Sequence, residues 1–339
     1  MMLIIVLLMG ELEISGYVET RPYVLWQDSV LFTGYNRGWL EGKASDYNYG
    51  VQTAVDLIVP YDTTDFSGIV ETITIERLAL WLGPENTRVI VGKQHLYWGV
   101  GRVFRPLDIF NRTNFYEPGY ERRGSAALLG YLALGTLSSL RGIIRPEKDI
   151  DNSLYGLRLG SNVFKNDIGF TTMHCPINRL WIVGGELTGE LMLGYWCEYS
   201  YVKEDAVDYS KLSVGVDYSL PLGIYIMAEL FFDGSGVADP AQYDFTEVAS
   251  GNRTTLAQHY LYSTISTIPN PFAVIQPSLH GLVNLDDMSF VIIPEVSVSL
   301  FENTEITAGV NYFAGADDTE FKNVTPYQSA VYMWAKVFF

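Results

Sequence analysis

From residue 13 onward, apolar and polar residues alternate with period two in short blocks. In Lys211–Leu220, Leu212, Val214, Val216, Tyr218 and Leu220 alternate with Lys211, Ser213, Gly215, Asp217 and Ser219. Tyr49–Val59 puts Val51, Val55, Leu57 and Val59 on one side and Gln52, Ala54 and Asp56 on the other. This period marks strands whose two faces meet different surroundings. Read along the chain, it predicts about eighteen strands, with about sixteen as the alternative count. They begin with Glu13–Leu25 and Val30–Lys43 and end with Tyr327–Phe339. Between these, Gly68–Leu82 and Thr87–Trp98 flank the turn GPEN. Arg179–Leu187 and Glu190–Val202 meet at a Thr188–Gly189 step.

The connections fall into two sets. FENT, TIPNP, LPLG, Thr188–Gly189, FKND, Gly135, GPEN and SDYN are short. The alternate set holds the long ones: Tyr61–Ser67, Gly99–Arg123, Lys203–Tyr209, Asp233–Thr255 and Gly315–Pro326. Short turns at one end and long loops at the other describe an up-and-down transmembrane barrel, and an even strand number follows. The inward set reads as Gly, Ser, Asp, Glu, Lys and Trp. The expectation is therefore a polar face lining water and an apolar face meeting lipid, with closure pairing every backbone group. The predicted fold is all-β: one antiparallel transmembrane barrel over residues 11–339, with one long loop folded inward. A soluble β-sandwich is the competing class.

Composition sharpens this picture. Of 339 residues, 48 % are hydrophobic, 18 % charged and 14 % aromatic, with 23 Tyr and 7 Trp. Low charge and many aromatics, without an internal run of apolar residues long enough for a membrane helix, suit a barrel with aromatic girdles. The net charge of −17 argues against nucleic acid as a partner. Charge is unevenly spread: residues 1–180 hold 17 of the 22 basic residues and 19 of the 39 acidic ones. Residues 1–10, MMLIIVLLMG, read as the remnant of a secretory signal. Cys175 and Cys197 make neither a disulfide framework nor a metal spacing, and both are expected to be unpaired.

One stretch breaks the alternation. Gly92–Gly124 reads GKQHLYWGVGRVFRPLDIFNRTNFYEPGYERRG. A loop of this length in a compact fold is usually functional or disordered, and its aromatic content opposes disorder. It carries Arg102, Arg105, Arg112, Arg122 and Arg123. Lys93 precedes them, and Arg158 alternates with Leu157 and Leu159 on a nearby strand, so it points into the lumen. Rings of Arg or Lys select anions in pores. The competing reading is internal salt bridging with Asp108, Glu117, Glu121, Glu71 and Glu76, because charges in such a lumen pair. The candidate constriction residues are Lys93, Arg102, Arg105, Asp108, Arg112, Arg122, Arg123 and Arg158.

Other chemistry is thin. The four histidines, His95, His174, His259 and His280, show no ligand spacing, so no metal or other cofactor is expected. No nucleotide-binding or nucleophile-elbow motif occurs. A lipid-hydrolysing barrel would need a Ser/His pair on one strand face, for which His259 with Ser263 is the candidate. Acidic clusters at Lys203–Tyr209, Asn284–Asp287 and Gly315–Phe321 match no defined calcium loop and read as solvated faces.

The string GKQHLYWGVGRVFRPLDIFN resembles the G-[RK]-Q…W-G…P-x-D…N signature of bacterial outer-membrane barrels of the alginate-export/porin type. The matching positions are Gly92, Lys93, Gln94, Trp98, Gly99, Pro106, Asp108 and Asn111. Arg123-Gly124 resembles the Arg-Gly step that opens the following strand in that group, and Gly16–Val24 resembles its first strand. Lys93 stands where Arg is commoner, which loses bidentate recognition. The final strand, AVYMWAKVFF, resembles the terminal strand of outer-membrane proteins, whose last aromatic residue, here Phe339, is read by the barrel-assembly machinery. The resemblance implies a non-enzymatic outer-membrane channel that passes small or anionic solutes. Its expected partners are membrane lipid, those solutes and the assembly machinery. In it Gly92, Gln94, Trp98, Gly99, Pro106 and Asn111 would fix the loop's path and the arginines would face solute. A closed structural or surface-binding barrel is the remaining alternative.

Overall fold

In the computed structural model, every strand pairs antiparallel with its neighbours in sequence, and the last pairs with the first. The structure describes residues 11–26, 29–60, 72–111, 123–177, 179–205, 207–221, 223–250, 253–268, 274–325 and 327–339. Residues 1–10 and the whole of the 61–67 connection lie outside this range.

The eighteen strands follow in order. The first six are β1 (Glu11–Trp26), β2 (Val30–Ser45), β3 (Tyr49–Pro60), β4 (Thr72–Leu82), β5 (Thr87–Gln94) and β6 (Ser125–Ala133). Next come β7 (Ser138–Arg145), β8 (Leu154–Val163), β9 (Asn166–Cys175), β10 (Leu180–Glu190), β11 (Gly194–Lys203) and β12 (Asp208–Leu220). The last are β13 (Ile224–Asp233), β14 (His259–Thr267), β15 (Ile275–Asn284), β16 (Phe290–Phe301), β17 (Thr304–Ala314) and β18 (Ser329–Phe338). Two short helices, α1 (Phe245–Ala249) and α2 (Glu320–Asn323), lie in the β13–β14 and β17–β18 connections. The seam between β1 and β18 closes with Tyr17 opposite Phe338, and Gly16 and Phe339 exchange backbone hydrogen bonds of 3.0 and 2.9 Å. No helix among the described residues is long and apolar enough to cross a membrane.

The two faces separate as the alternation requires. On β12, Val214 and Val216 are exposed outward while Ser213 is fully buried inward. On β4, the outward residues are Ile73 and Ile75, then Leu78, Leu80 and Leu82. The phase slips at a bulge, where Ala54 faces Arg77 but Val55 faces Ile75. The extra residue keeps both Glu76 and Arg77 off the apolar outside, where a charge is costly.

Three expectations need correction. β5 ends at Gln94 rather than Trp98, because the chain turns into the lumen there. The β10–β11 hairpin turns at Leu191–Leu193, not at Thr188–Gly189. Leu191 and Met192 are 84 % and 87 % exposed in that turn, so apolar alternation ran through it without a Gly or Pro to mark the break. The inward face is also less polar than expected. At the long-loop end, Ile143, Leu154, Met173, Ile182 and Val202 form one buried apolar cluster inside the barrel, and Phe231, Leu282, Val291 and Phe313 belong to a second. Inward apolar residues are tolerated there because connections fold back over them.

Candidate functional site

The segment 95–111 supplies the covering for both clusters. Leu96, Trp98 and Leu107 join the first, and Phe104 joins the second. Phe104 stacks on Phe231 with ring centroids 4.4 Å apart, and Leu107 is wholly buried. The loop leaves the wall at β5, whereas Phe231 lies on β13, nearly opposite in the eighteen-stranded ring. The segment therefore crosses the lumen.

A crossing segment has no strand partner for its N–H groups, and each must find an acceptor. Two wall carboxylates provide them. Glu198 on β11 accepts from the N–H of Val100, Gly101 and Leu107 at 2.6, 2.8 and 2.6 Å. Glu229 on β13 accepts from the N–H of Arg102 and Phe104 at 2.9 and 2.6 Å, and from the Trp196 indole at 2.6 Å. Both glutamates are 0 % exposed. Gly99 has φ +83°, and a Cβ there would lie 2.5 Å from Glu198 Oε1, so no larger residue fits between loop and anchor. On β10, the absent side chain of Gly184 makes room for Leu107.

The motif positions complete the frame. The Trp98 indole donates to Thr171 Oγ1 at 3.2 Å, and its ring meets Phe110 edge-on. The Gln94 amide donates to the Ala127 carbonyl. Asp108 accepts the N–H of Phe110 and Asn111, both at 3.1 Å, and Asn111 Nδ2 donates to the Leu96 carbonyl at 2.5 Å. Pro106 is buried beside Leu107. Gly92 has φ +127°, where a Cβ would strike the Leu78 carbonyl. Burial pushes the Asp108 carboxyl up to about 6, against the hydrogen bonds from Asn111 and Phe110. At the loop's base, Glu76 accepts the Gly124 N–H at 2.9 Å and lies 3.5 Å from Lys93, so it clamps both ends.

The basic candidates divide. Lys93 is tied to Glu76, and Arg158 is tied to Glu186, with Nε–Oε1 at 2.7 Å. Arg102 is exposed and lies over the Trp196 ring at 5.3 Å. Arg105 donates from Nε to the Gly101 carbonyl at 2.6 Å and lines a cavity of about 570 Å³ above the loop, with Asp108, Lys211 and Arg253. Neither Arg102 nor Arg105 forms an ion pair among the described residues. Arg123 is exposed; Arg112 and Arg122 lie outside the described residues. Arg141 stands opposite Arg158 in the ladder, over the Tyr131 ring. His259 bonds Asp286 at 2.8 Å. Ser263, four residues along the same strand, stands about 13 Å away by strand rise, so the candidate Ser/His pair is not assembled. Among the described residues, no grouping of His, Cys, Asp and Glu could hold a metal ion, and both cysteines are free.

The chain matches no known family model and no curated protein sequence. Its fold is similar to solved outer-membrane proteins. The outer membrane protein opdK from Pseudomonas aeruginosa aligns over 98 % of this chain and 99 % of its own, with TM-score 0.66 and 7 % identity. OccK3 (OpdO) from the same organism aligns over 98 % and 96 %, with TM-score 0.65 and 9 % identity. OccAB1 from Acinetobacter baumannii aligns over 98 % and 97 %, with TM-score 0.65 and 8 % identity. At these identities the likeness is one of fold, and it covers nearly the whole of each chain.

Proposed function

We propose that this protein is an outer-membrane diffusion channel for small anionic solutes, narrowed by the loop that crosses its lumen. The observation that carries the reading is the loop's attachment. Glu198 and Glu229 spend their charge on backbone N–H groups, which leaves the Arg102 guanidinium exposed over Trp196. An exposed guanidinium on the segment that crosses the lumen suits a solute that carries a carboxylate. One relative in fold, OpdK, has been solved with vanillate, an aromatic carboxylate. An apolar outer face and a closed ladder support placement in a membrane, with the long loops outside and the short turns in the periplasm.

The G-K-Q…W-G…P-x-D…N string supports membership of the alginate-export type within this broader class. Lys93 in place of Arg, and the acidic second half, favour solutes smaller than a polyanion. The barrel is read as non-enzymatic. It would meet lipid on its outer face and the assembly machinery through the strand ending in Phe339. The test is the reversal potential of the reconstituted protein under a salt gradient. Neutralising Arg102, Arg105 and Arg112 together should shift selectivity toward cations. An unchanged reversal potential would remove the arginines from the mechanism, and no conductance at any salt would remove the channel.

A further inference from the structure

The turns at the short-loop end divide by side. The β2–β3, β4–β5 and β16–β17 turns, on the side of the seam, carry Asp46, Glu85 and Glu302. The β6–β7, β8–β9 and β10–β11 turns follow one another around the wall and carry Leu134 with Leu137, Phe164, and Leu191 to Leu193. These apolar side chains are all exposed, Phe164 by 93 % and Leu137 by 63 %. Phe164 and Lys165 fill the two central positions of their hairpin turn, with φ +51° and +65°. That left-handed backbone favours Gly or Asn, and a bulky residue there is an outlier. Phe164 is thus held against its backbone preference with almost no contact to the rest of the protein. What offsets that strain lies outside the barrel.

Membrane depth accounts for the division. Tyr155, His174 and Trp181 are ladder neighbours on the outward face near the long-loop end, and the His174 and Trp181 rings stack at 4.1 Å. Lys203 stands beside Trp181. Aromatic rings next to charge mark the outer edge of the apolar layer. From Tyr155 to Val163, at the foot of β8, a strand tilted by about 40° and rising about 3.3 Å per residue descends about 20 Å. From Ile144, opposite Tyr155, to Ser138 the descent is about 15 Å, and from Trp181 to Glu190 it is about 23 Å. The apolar band of such a barrel is about 25 Å tall. These strands therefore end inside the band, and their turns complete it. β1 and β2, with sixteen residues each, descend about 38 Å, and the turn below β2 is charged.

We propose that the β6–β7, β8–β9 and β10–β11 turns are immersed in the inner leaflet, where phospholipid acyl chains cover Leu137, Phe164 and Met192. The patch continues the lipid-facing surface without a break. On β8, Leu159 and Val163 lead to Phe164, and on β6, Leu132 leads to Leu134, all of them exposed. That continuity makes lipid, rather than a soluble protein, the occupant. Lys165, beyond Phe164, has a stem long enough to carry its ammonium to the phosphate layer. The short wall is thereby pinned in the inner leaflet while the charged turns of the seam side stand in the periplasm.

The proposal rests on the membrane placement of the barrel, and the test separates the two. In a protein also carrying Cys175→Ser and Cys197→Ser, the changes Leu137→Cys, Phe164→Cys and Met192→Cys are made one at a time. Each is labelled with an environment-sensitive NBD fluorophore and reconstituted into phosphatidylethanolamine/phosphatidylglycerol vesicles. Glu85→Cys is the aqueous control and Leu157→Cys the lipid control. Labels at 137, 164 and 192 should emit at shorter wavelength, lose emission to nitroxide-labelled phospholipid, and resist iodide supplied on both sides of the bilayer. The label at 85 should do the reverse. Iodide quenching at the three turns equal to that at 85, with the label at 157 still quenched by nitroxide, overturns the immersion and leaves the membrane barrel standing. Protection from iodide that appears only when periplasmic extract is added assigns the turns to a soluble partner and overturns it too. A label at 157 that nitroxide does not quench overturns the membrane placement, and the immersion with it.

Discussion

Removing one loop anchor should free the loop and leave the barrel standing. In Glu198→Ala, the N–H groups of Val100, Gly101 and Leu107 lose their acceptor. Hydrogen bonds to a charged acceptor contribute about 1.5–3 kcal/mol each, and a buried donor left without one costs about 1–3 kcal/mol. Water entering the vacated space recovers part of this, and about 1 kcal/mol per donor is taken as the net cost. Three donors then give about 3 kcal/mol, which moves the docked-to-released ratio more than a hundredfold. The ladder is untouched, since β11 pairs with β10 and β12 through backbone groups. The assay is single-channel recording, with resistance to unfolding in detergent as the control for the barrel. Larger conductance with frequent steps between levels is expected. Glu198→Gln, which keeps the shape and one acceptor oxygen, should show a smaller change. Wild-type conductance and noise in Glu198→Ala, with the barrel intact, would refute the reasoning.

Three further outcomes follow from the same geometry. Gly99→Val should reproduce the Glu198→Ala recordings, because a Cβ at Gly99 displaces the same carboxylate. Arg158→Met leaves Glu186 without its partner and should lower stability by about 2–3 kcal/mol, checked by thermal unfolding in detergent, with selectivity moving toward cations. Phe339→Ala weakens the packing at the seam, where the ring lies against Gly16, and should reduce the fraction of protein assembled in the outer membrane, read by heat-modifiable gel mobility.

The barrel was legible because lipid on one side and a lumen on the other impose period two on nearly every strand. Even the β4 bulge is visible in ITIERLALWL, where the apolar phase slips at Glu76–Arg77. The loop was legible as the place where alternation stops, and its Trp98, Gly99, Asp108 and Asn111 were visible as motif. Its anchors were not. Glu198 and Glu229 look like any inward polar residue, and they lie 98 and 127 residues from Val100 and Arg102. Nothing local distinguishes a carboxylate that lines water from one that holds another segment's backbone. The same limit hid the apolar clusters: Ile143, Met173 and Phe231 sit on the inward phase, and only the loops folded over them explain why.

The most direct test of a loop that narrows a conducting lumen is thiol modification at Arg102. In an Arg102→Cys protein also carrying Cys175→Ser and Cys197→Ser, single-channel conductance is recorded before and after a negatively charged methanethiosulfonate reagent. A stepwise fall in conductance, with selectivity shifting toward cations, is the predicted result. Conductance and selectivity unchanged after complete labelling would contradict the account.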